Sequence, residues 1–329
     1  MEVFRFNNAI QFAFISVVLL ILSFTNLAWS NSPARADYLF ERGRQCFSDG
    51  DFNRAVQYFR ESAEIGNANA QFCLAVSYVK GWGVERNVAE AFKWMKRAAE
   101  SGNADAQFYV AMRYENGDGV ERNDAEAFKW AKRAAESGNP DAQFYLALRY
   151  VTGDGVKRNV AESLKWLKRA AESGNADAQF YWAMRYENGD GVERNDAEAF
   201  KWAKRAAESG NPDAQFYLAL RYVTGDGVKR NVAESLKWLK RAAESGNADA
   251  QFYWATCYAK GRGVERNDAE AFKWMKRAAE SGNEKAQFDV ALCYAQGRGV
   301  ERNDAEAFKW MKQAAESGNK KAQEILKNW

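Results

Sequence analysis

The sequence contains no histidine among its 329 residues. Histidine is the usual general base near neutral pH and the commonest ligand for zinc and copper. Its absence argues against hydrolases that use a Ser–His–Asp triad. Any catalytic proposal would have to rely on carboxylates, lysine, tyrosine or cysteine.

Proline and net charge are also scarce. The chain has three prolines and a net charge of +3, with 47 basic and 44 acidic side chains. So small an excess gives no reason to expect a nucleic-acid partner. Hydrophobic residues make up 47% of the chain and aromatic residues 14%, which is enough to bury a core.

Residues 1–36 differ in composition from the rest of the chain. Residues 9–28 carry almost no polar side chains, and residues 34–36 (Ala-Arg-Ala) fit a signal peptidase site, with a second possible cut at 28–30. We predict a secretory signal peptide over 1–36 and a mature start near Asp37. The alternative is an uncleaved N-terminal anchor, because the run approaches the roughly 20 residues that span a bilayer. Both interpretations place the rest of the chain outside the cytoplasm, in the periplasm or secreted.

The rest of the sequence repeats with a period of 36 residues. A Gly-Asn pair recurs at this spacing, with its asparagines at Asn67, Asn103, Asn139, Asn175, Asn211, Asn247, Asn283 and Asn319. Such self-similarity is typical of helical repeat arrays, in which no unit can bury its apolar face alone. Residues 103–174 and 175–246 are identical except for Val110 against Trp182, which indicates duplication of a two-repeat block.

The repeat that starts at Asn139 predicts a first helix. Asn139 suits the N-cap and Pro140 the first helical position. The buried stripe is predicted from helical spacing to comprise Ala142, Leu146, Ala147 and Tyr150. Gly153 and Gly155 should end this helix in a tight loop, and Val156 should point from the loop into the core.

A second helix follows in the same repeat. Asn159 is its predicted N-cap, and Glu162 three residues later would complete a pair like a capping box. The predicted core positions are Ser163, Trp166, Leu167, Ala170 and Ala171. The intervening charged side chains form a solvated face, an explanation that we favour over a nucleic-acid surface. The unit is therefore a helical hairpin.

These residues resemble a known family. The run Ala-Gln-Phe-Tyr-Leu-Ala-Leu-Arg-Tyr, then Gly-Asp-Gly-Val, then Ala-Glu-Ala-Phe-Lys-Trp and Arg-Ala-Ala-Glu-Ser-Gly-Asn, is similar to the Sel1-like repeat, a relative of the tetratricopeptide repeat. The resemblance covers essentially all of residues 37–329. It implies an all-α, right-handed superhelical solenoid of helix-turn-helix repeats with a concave inner surface. It also implies a role in protein–protein interaction.

The two ends depart from the repeat pattern. We predict a tetratricopeptide-like capping hairpin over 37–66, seven repeats over 67–318 and a C-terminal capping helix over 319–329. Terminal units of a solenoid have to cover an exposed core face, which is the reason for interpreting both ends as caps.

One stripe of each first helix belongs neither to the core nor to the caps. Tyrosines and arginines four residues apart recur on it, at Tyr109, Arg113, Tyr145, Arg149, Tyr181, Arg185, Tyr217, Arg221 and Tyr253. Aspartates precede the tyrosines by four residues, at Asp105, Asp141, Asp177, Asp213 and Asp249. Residues at i and i+4 share one helical face. First helices line the inner surface in the family that the chain resembles, so stacking would align these residues along a groove.

Two interpretations of this stripe stay open. Tyrosine and arginine are enriched at interface hot spots, so the stripe could bind an extended peptide, in particular one that bears carboxylates. Alternatively each arginine stacks on its tyrosine and is neutralised by the neighbouring aspartate, which would leave a surface satisfied within the chain.

Four cysteines are present. Cys257 and Cys293 occupy equivalent positions of neighbouring repeats, where parallel side chains usually lie too far apart to bond. Cys46 and Cys73 lie at non-equivalent positions on successive first helices. This pair is therefore the candidate disulfide in an exported chain, although its spacing does not demonstrate it.

The signals for catalysis are weak. Ser77 and Lys80 match Ser-x-x-Lys, but neither Ser-Asp-Asn nor Lys-Thr-Gly accompanies them. We predict a scaffold that is not an enzyme; the alternative is a cell-envelope enzyme acting on β-lactams or peptidoglycan, or an auxiliary regulator of one. We expect no cofactor or metal, no nucleic acid, contact with a membrane only through an uncleaved N-terminal segment, and a monomer that binds a protein or extended peptide.

Overall fold

The computed structural model describes residues 32–327, and over this range the chain forms seventeen α-helices and no strand. The predicted signal peptide therefore lies almost wholly outside the described residues. Within 32–327 no helix combines the length and the apolar character needed to cross a bilayer. The predicted all-α fold of repeated helical hairpins is confirmed.

The first of two compact units ends at Val160. Its helices are α1 Pro33–Ser48, α2 Phe52–Ile65, α3 Ala68–Lys80, α4 Val88–Glu100, α5 Ala104–Asn116, α6 Asp124–Glu136 and α7 Pro140–Thr152. Each helix packs on the next, so that the pairs α1–α2, α3–α4 and α5–α6 form hairpins stacked on their neighbours. Contacts between neighbours alone are characteristic of a solenoid.

The second unit covers residues 161–329. Its helices are α8 Val160–Glu172, α9 Ala176–Asn188, α10 Asp196–Glu208, α11 Pro212–Thr224, α12 Val232–Glu244, α13 Ala248–Lys260, α14 Asp268–Glu280, α15 Glu284–Gln296, α16 Asp304–Glu316 and α17 Lys320–Leu326. Hairpins α9–α10 to α15–α16 stack in order, and α17 packs on α16. Ala322 of α17 is fully buried against the last hairpin.

The first helices start and end as the sequence predicted. The Asn139 side chain accepts a hydrogen bond from the Ala142 N–H at 2.7 Å, and Pro140 occupies the first turn. Gly153 ends the helix with a φ of 90°, a left-handed conformation that glycine adopts without steric cost. A Cβ on Gly155 would lie 2.9 Å from the Asp124 carbonyl oxygen, so this loop can rest directly on the preceding second helix only because it lacks a side chain.

The second helices are capped by only one half of a capping box. The Asn123 side chain accepts from the Glu126 N–H at 3.0 Å, but the Asn123 N–H donates to the Tyr114 carbonyl at 2.8 Å. The Glu126 carboxylate pairs instead with Lys129 at 3.2 Å. The backbone of the first helix therefore takes the donor that the reciprocal bond would need.

Most of the predicted core positions are buried. Leu146 of α7 is fully buried, and the predicted second-helix positions Ser163, Trp166, Leu167, Ala170 and Ala171 are buried. Tyr150 and Val156 are half-buried. One buried residue was not expected: Gln143 donates through Nε2 to the Ala135 carbonyl at 3.1 Å and links a first helix to the preceding second helix.

Candidate binding surface

Three arginines of the first helices stack on the tyrosine four residues before them. We call the surface that the tyrosines and arginines form in each unit the first-helix face; it carries Tyr109, Arg113, Tyr145 and Arg149 in the first unit and Tyr181, Arg185, Tyr217, Arg221 and Tyr253 in the second. The Arg149 guanidinium carbon lies 4.7 Å from the Tyr145 ring centroid. The distances are 4.8 Å for Arg113 over Tyr109 and 4.6 Å for Arg221 over Tyr217. Such stacking contributes about 0.5–1 kcal/mol at an exposed site.

Aspartates of the Gly-Asp-Gly loops neutralise these arginines. The separations are 3.7 Å for Arg113–Asp118, 3.1 Å for Arg149–Asp154, 3.7 Å for Arg185–Asp190 and 3.0 Å for Arg221–Asp226. From the sequence we expected only that the glycines of these loops end the helix in a tight turn. Their carboxylates also reduce the positive charge of the first-helix face.

Two of the arginines have a second acidic partner. Arg149 pairs with Glu115 and Arg221 pairs with Glu187, in each case a glutamate from the preceding repeat. The equivalent position in the alternate repeats is valine, at Val151 and Val223. This alternation of glutamate and valine is the sequence signal that could have revealed the pairing.

The aspartates that precede the tyrosines have a different role from the expected one. Asp105 accepts a hydrogen bond at 2.7 Å from Nδ2 of Asn139, the N-cap of the next first helix. The same bond joins Asp177 to Asn211, Asp213 to Asn247 and Asp249 to Asn283, at 2.7–2.8 Å. These four aspartates therefore hold a helix cap of the following repeat, and aspartates of the loops pair with the arginines instead.

Exposure varies along the first-helix face. Tyr181 and Tyr253 are 50% and 46% exposed, whereas Tyr145 and Tyr217 are half-buried. Burial raises the pKa of Tyr145 to about 12, and the charges of Asp124 and Asp154 add to the effect. Burial also raises the pKa of Tyr217, helped by the hydrogen bond that its hydroxyl donates to Glu187. Both phenols therefore stay protonated at neutral pH.

The predicted disulfide pair lies in one hydrophobic cluster of the first unit. Cys46 is buried beside Phe59 and Leu74, Cys73 packs against the same cluster, and both thiols are free. Burial raises the pKa of Cys73 to about 11. The pairing of Cys46 with Cys73 stays a prediction.

The Ser-x-x-Lys match is part of helix α3. Ser77 is buried, and its hydroxyl donates to the Cys73 carbonyl at 2.9 Å, while Lys80 is exposed at the end of the helix. Throughout residues 32–327, no group of three or more cysteine or carboxylate residues is placed to hold a metal ion.

Comparison with known proteins identifies the repeat. The family model described as Sel1 repeat matches eight consecutive segments: 33–67, 68–103, 104–139, 140–175, 176–211, 212–247, 248–283 and 284–319. The first segment includes the hairpin that we predicted to be a tetratricopeptide-like cap. A comparison with curated proteins finds no match.

Two solved structures resemble the chain over most of its length. A Sel1 repeat protein from Oxalobacter formigenes is 32% identical, with 93% of this chain and 90% of that chain covered and a TM-score of 0.62. A protective antigen of uropathogenic Escherichia coli strains, which displays an SLR fold, is 33% identical with a TM-score of 0.66. That match covers 92% of this chain, which spans 65% of the antigen's length.

Sel1 repeat proteins are generally scaffolds for protein interaction, and the repeat is typically non-catalytic. The hairpin geometry, the eight matching segments and the two similar structures agree with one another. This chain belongs to the Sel1 repeat family.

Proposed function

We propose that this protein is an exported scaffold that binds partner proteins or extended peptides along its first-helix face. The observation that carries the proposal is that a tyrosine and an arginine lie four residues apart in four successive repeats, with the guanidinium stacked on the ring in three of them. Rigid aromatic area next to a bidentate donor is the combination enriched at interface hot spots. Recurrence at a fixed spacing suits a ligand that is itself extended.

The arginines differ in how well they can accept a ligand carboxylate. A ligand at Arg149 or Arg221 has to compete with two acids of the chain, one of them from the preceding repeat. At Arg113 and Arg185 it competes with one loop aspartate at 3.7 Å. These two side chains are also more exposed, at 25% and 30% against 22% and 19% for Arg149 and Arg221. We therefore assign acidic-peptide binding chiefly to Arg113 and Arg185.

The proposal of export rests on the apolar N-terminal run, and the structure of α1 bears on where the leader would be cut. Ser32 caps α1 by accepting from the Arg35 N–H at 3.2 Å. Ala36 is buried, and its carbonyl accepts from the Ser62 hydroxyl at 2.6 Å. A cut after Ala36 would remove the first turn of α1 and this buried bond, whereas a cut after Ser30 would leave both intact. These contacts favour the earlier of the two predicted cleavage sites.

The test is the binding of a fluorescein-labelled acidic heptapeptide, followed by fluorescence anisotropy. The double variant R113Q/R185Q should weaken binding at least about tenfold, since each charge-assisted hydrogen bond contributes roughly 1.5–3 kcal/mol. The matched control is K129Q/K201Q, which removes the same charge from the second helices, where Lys129 and Lys201 pair with glutamates. An equal loss of affinity in both double variants would show that net charge alone accounts for the effect. Unchanged binding in R113Q/R185Q would refute the proposal.

A further inference from the structure

The second unit has an apolar cleft that shares Tyr253 with the first-helix face and extends beyond it. It has a volume of about 530 Å³ and lies between α11, α12 and α13. Leu220 and Val223 of α11, Val232 and Leu236 of α12, and Tyr253 of α13 line it. Four of these five side chains are among the exposed large hydrophobic residues, with Val232 54% exposed. A contiguous exposed apolar patch of this kind typically marks a binding site.

One charged side chain, Arg262, lies at this cleft. In the part of the chain that the structure describes, Arg262 forms no ion pair with a carboxylate. The loop after α13 rests directly on α12, because a Cβ on Gly263 would overlap Leu236. This contact fixes the position of Arg262 beside the cleft. Arg262 is exposed, and a ligand that covers the apolar wall would shield its guanidinium from water and strengthen its attraction for a carboxylate.

The preceding repeat has different residues at the equivalent positions. Arg221 and Asp226 stand at the positions equivalent to Cys257 and Arg262, and they form an ion pair of 3.0 Å. At the position of Val232, the preceding second helix has Asp196. The preceding repeat therefore supplies acids of its own at the positions where this cleft has Val232 and Arg262.

The following repeat also supplies acids. Arg298, equivalent to Arg262, lies 3.7 Å from the Cys293 sulfur, and its pKa is raised first by Cys293 and then by the charges of Asp289 and Asp268. These two aspartates occupy the positions of Tyr253 and Val232 in the cleft. Of the three successive repeats compared, the one that carries Arg262 combines an apolar lining with a cation that forms no ion pair with a carboxylate.

We infer that this cleft binds a peptide segment of a partner protein that presents apolar side chains next to a carboxylate. The inference rests on the proposed scaffold function but uses contacts different from those of Arg113 and Arg185. A purely apolar ligand would bury Arg262 without a counter-charge, which is costly. A purely acidic ligand would leave the apolar lining in water. Both features are needed to satisfy the cleft.

Three acetylated and amidated heptapeptides test this pairing by isothermal titration calorimetry on the full chain: one alternating leucine and glutamate, one leucine and glutamine, and one serine and glutamate. The leucine–glutamate peptide should bind most tightly. R262Q should weaken its binding about tenfold and leave the leucine–glutamine peptide unchanged. The matched control R298Q removes the equivalent cation of the next repeat. It should leave the binding of both the leucine–glutamate and the leucine–glutamine peptide unchanged.

Two variants replace residues of the cleft by the ones that neighbouring repeats carry at the same positions. C257R/R262D recreates the Arg221–Asp226 pair, and V232D places the acid found at Asp196 and Asp268. Each variant should weaken the binding of the leucine–glutamate peptide at least tenfold. Circular dichroism checks that each variant folds. If C257R/R262D does not fold, V232D carries the test, since aspartate at the start of a second helix is native in both neighbours.

The outcomes separate the inference from the proposed function. Binding of the leucine–glutamate peptide that persists in R113Q/R185Q and is lost in V232D supports the cleft, even if the first-helix face proves inactive. Three results would overturn it: no binding of any of the three peptides, equal binding of the leucine–glutamate and leucine–glutamine peptides, or unchanged binding in V232D.

Discussion

The guanidinium of Arg149 pairs with the carboxylate of Glu115, which lies 34 residues earlier in the chain. Arg149 belongs to α7 and Glu115 to α5, so the pair joins two successive first helices across a repeat boundary. Each side chain is 22% exposed. The Arg221–Glu187 pair joins α11 to α9 in the same way. These contacts link neighbouring repeats on the surface, in addition to the shared apolar core.

Replacing Arg149 by alanine should destabilise the contact between α5 and α7. We expect a loss of about 1–2 kcal/mol, because a partly buried charge loses its partner while solvent screening reduces the effect. Arg113→Ala is the matched comparison and should cost roughly 0.5 kcal/mol, since its single acid lies 3.7 Å away on an exposed loop. Amide hydrogen exchange in α5 and α7 measures the difference. Equal losses would show that the Glu115 pair contributes nothing.

Replacing Glu115 by glutamine should improve the binding of an acidic peptide. The change frees Arg149 from one of its two acidic partners, leaving Asp154 at 3.1 Å. Removing a partly exposed competitor worth about 0.5–1 kcal/mol corresponds to a roughly two- to fivefold gain in affinity. Glu126→Gln removes the same charge from a second helix, where Glu126 pairs with Lys129, and should leave affinity nearly unchanged. A gain of the same size in both variants would contradict the competition model.

The cap asparagines of the first helices should contribute more to stability than those of the second helices. Asn139 caps α7 and donates to Asp105 of the preceding repeat, whereas Asn123 caps α6. We expect Asn139→Ala to cost about 2 kcal/mol and Asn123→Ala about 1 kcal/mol, since the first also breaks a hydrogen bond to a carboxylate. Urea unfolding of the two variants measures this. The single variant Asp105→Asn should by itself lower the free energy of unfolding by most of the difference between these two variants, if the bond from Asn139 to the Asp105 carboxylate is the cause of that difference.

The buried thiol of Cys73 should react slowly with alkylating reagents at neutral pH. Its pKa is raised to about 11 by burial, so the reactive thiolate is scarce below that pH. In a variant that retains only this cysteine, C46S/C257S/C293S, the iodoacetamide rate of the native chain should keep rising to about pH 11. In urea it should level off near the ordinary thiol pKa of about 8.5. A plateau of the native rate near pH 8.5 would contradict the burial effect.

The raised pKa of Cys73 also makes the stability of the folded chain depend on pH. Between the ordinary thiol pKa and about 11, the unfolded chain releases the Cys73 proton while the folded chain retains it. The contribution of Cys73 to the free energy of unfolding is therefore fully present below the ordinary value and is lost as the pH rises toward 11.

Cleavage of the predicted signal peptide should leave Ser32 in the mature protein. Ser32 caps α1, and Ala36 accepts a buried hydrogen bond from Ser62. Intact mass measurement of the exported protein should therefore give an N-terminus at Asn31, following the cut after Ser30. A mature chain that starts at Asp37 would show that the first turn of α1 is dispensable. An unprocessed chain would favour the N-terminal anchor.

Much of the local structure could be predicted from the sequence. The period of 36 residues, the asparagine caps and core residues such as Leu146 and Trp166 follow from helical spacing and capping chemistry. The stacking of Arg149 on Tyr145 was also predictable, since residues four apart in a helix are neighbours whatever surrounds them. These features depend on the chain within a single repeat.

Only the tertiary structure decided which groups meet between repeats. The pairing of Glu115 with Arg149, the bond from Asn139 to Asp105 and the open cleft beside Arg262 all join residues of different helices or repeats. A long side chain can reach several acids of similar spacing in the sequence, and the distances between packed helices select among them. For this reason the sequence determined the repeat and its exposed chemistry, whereas packing determined which arginines of the first helices are neutralised within the chain.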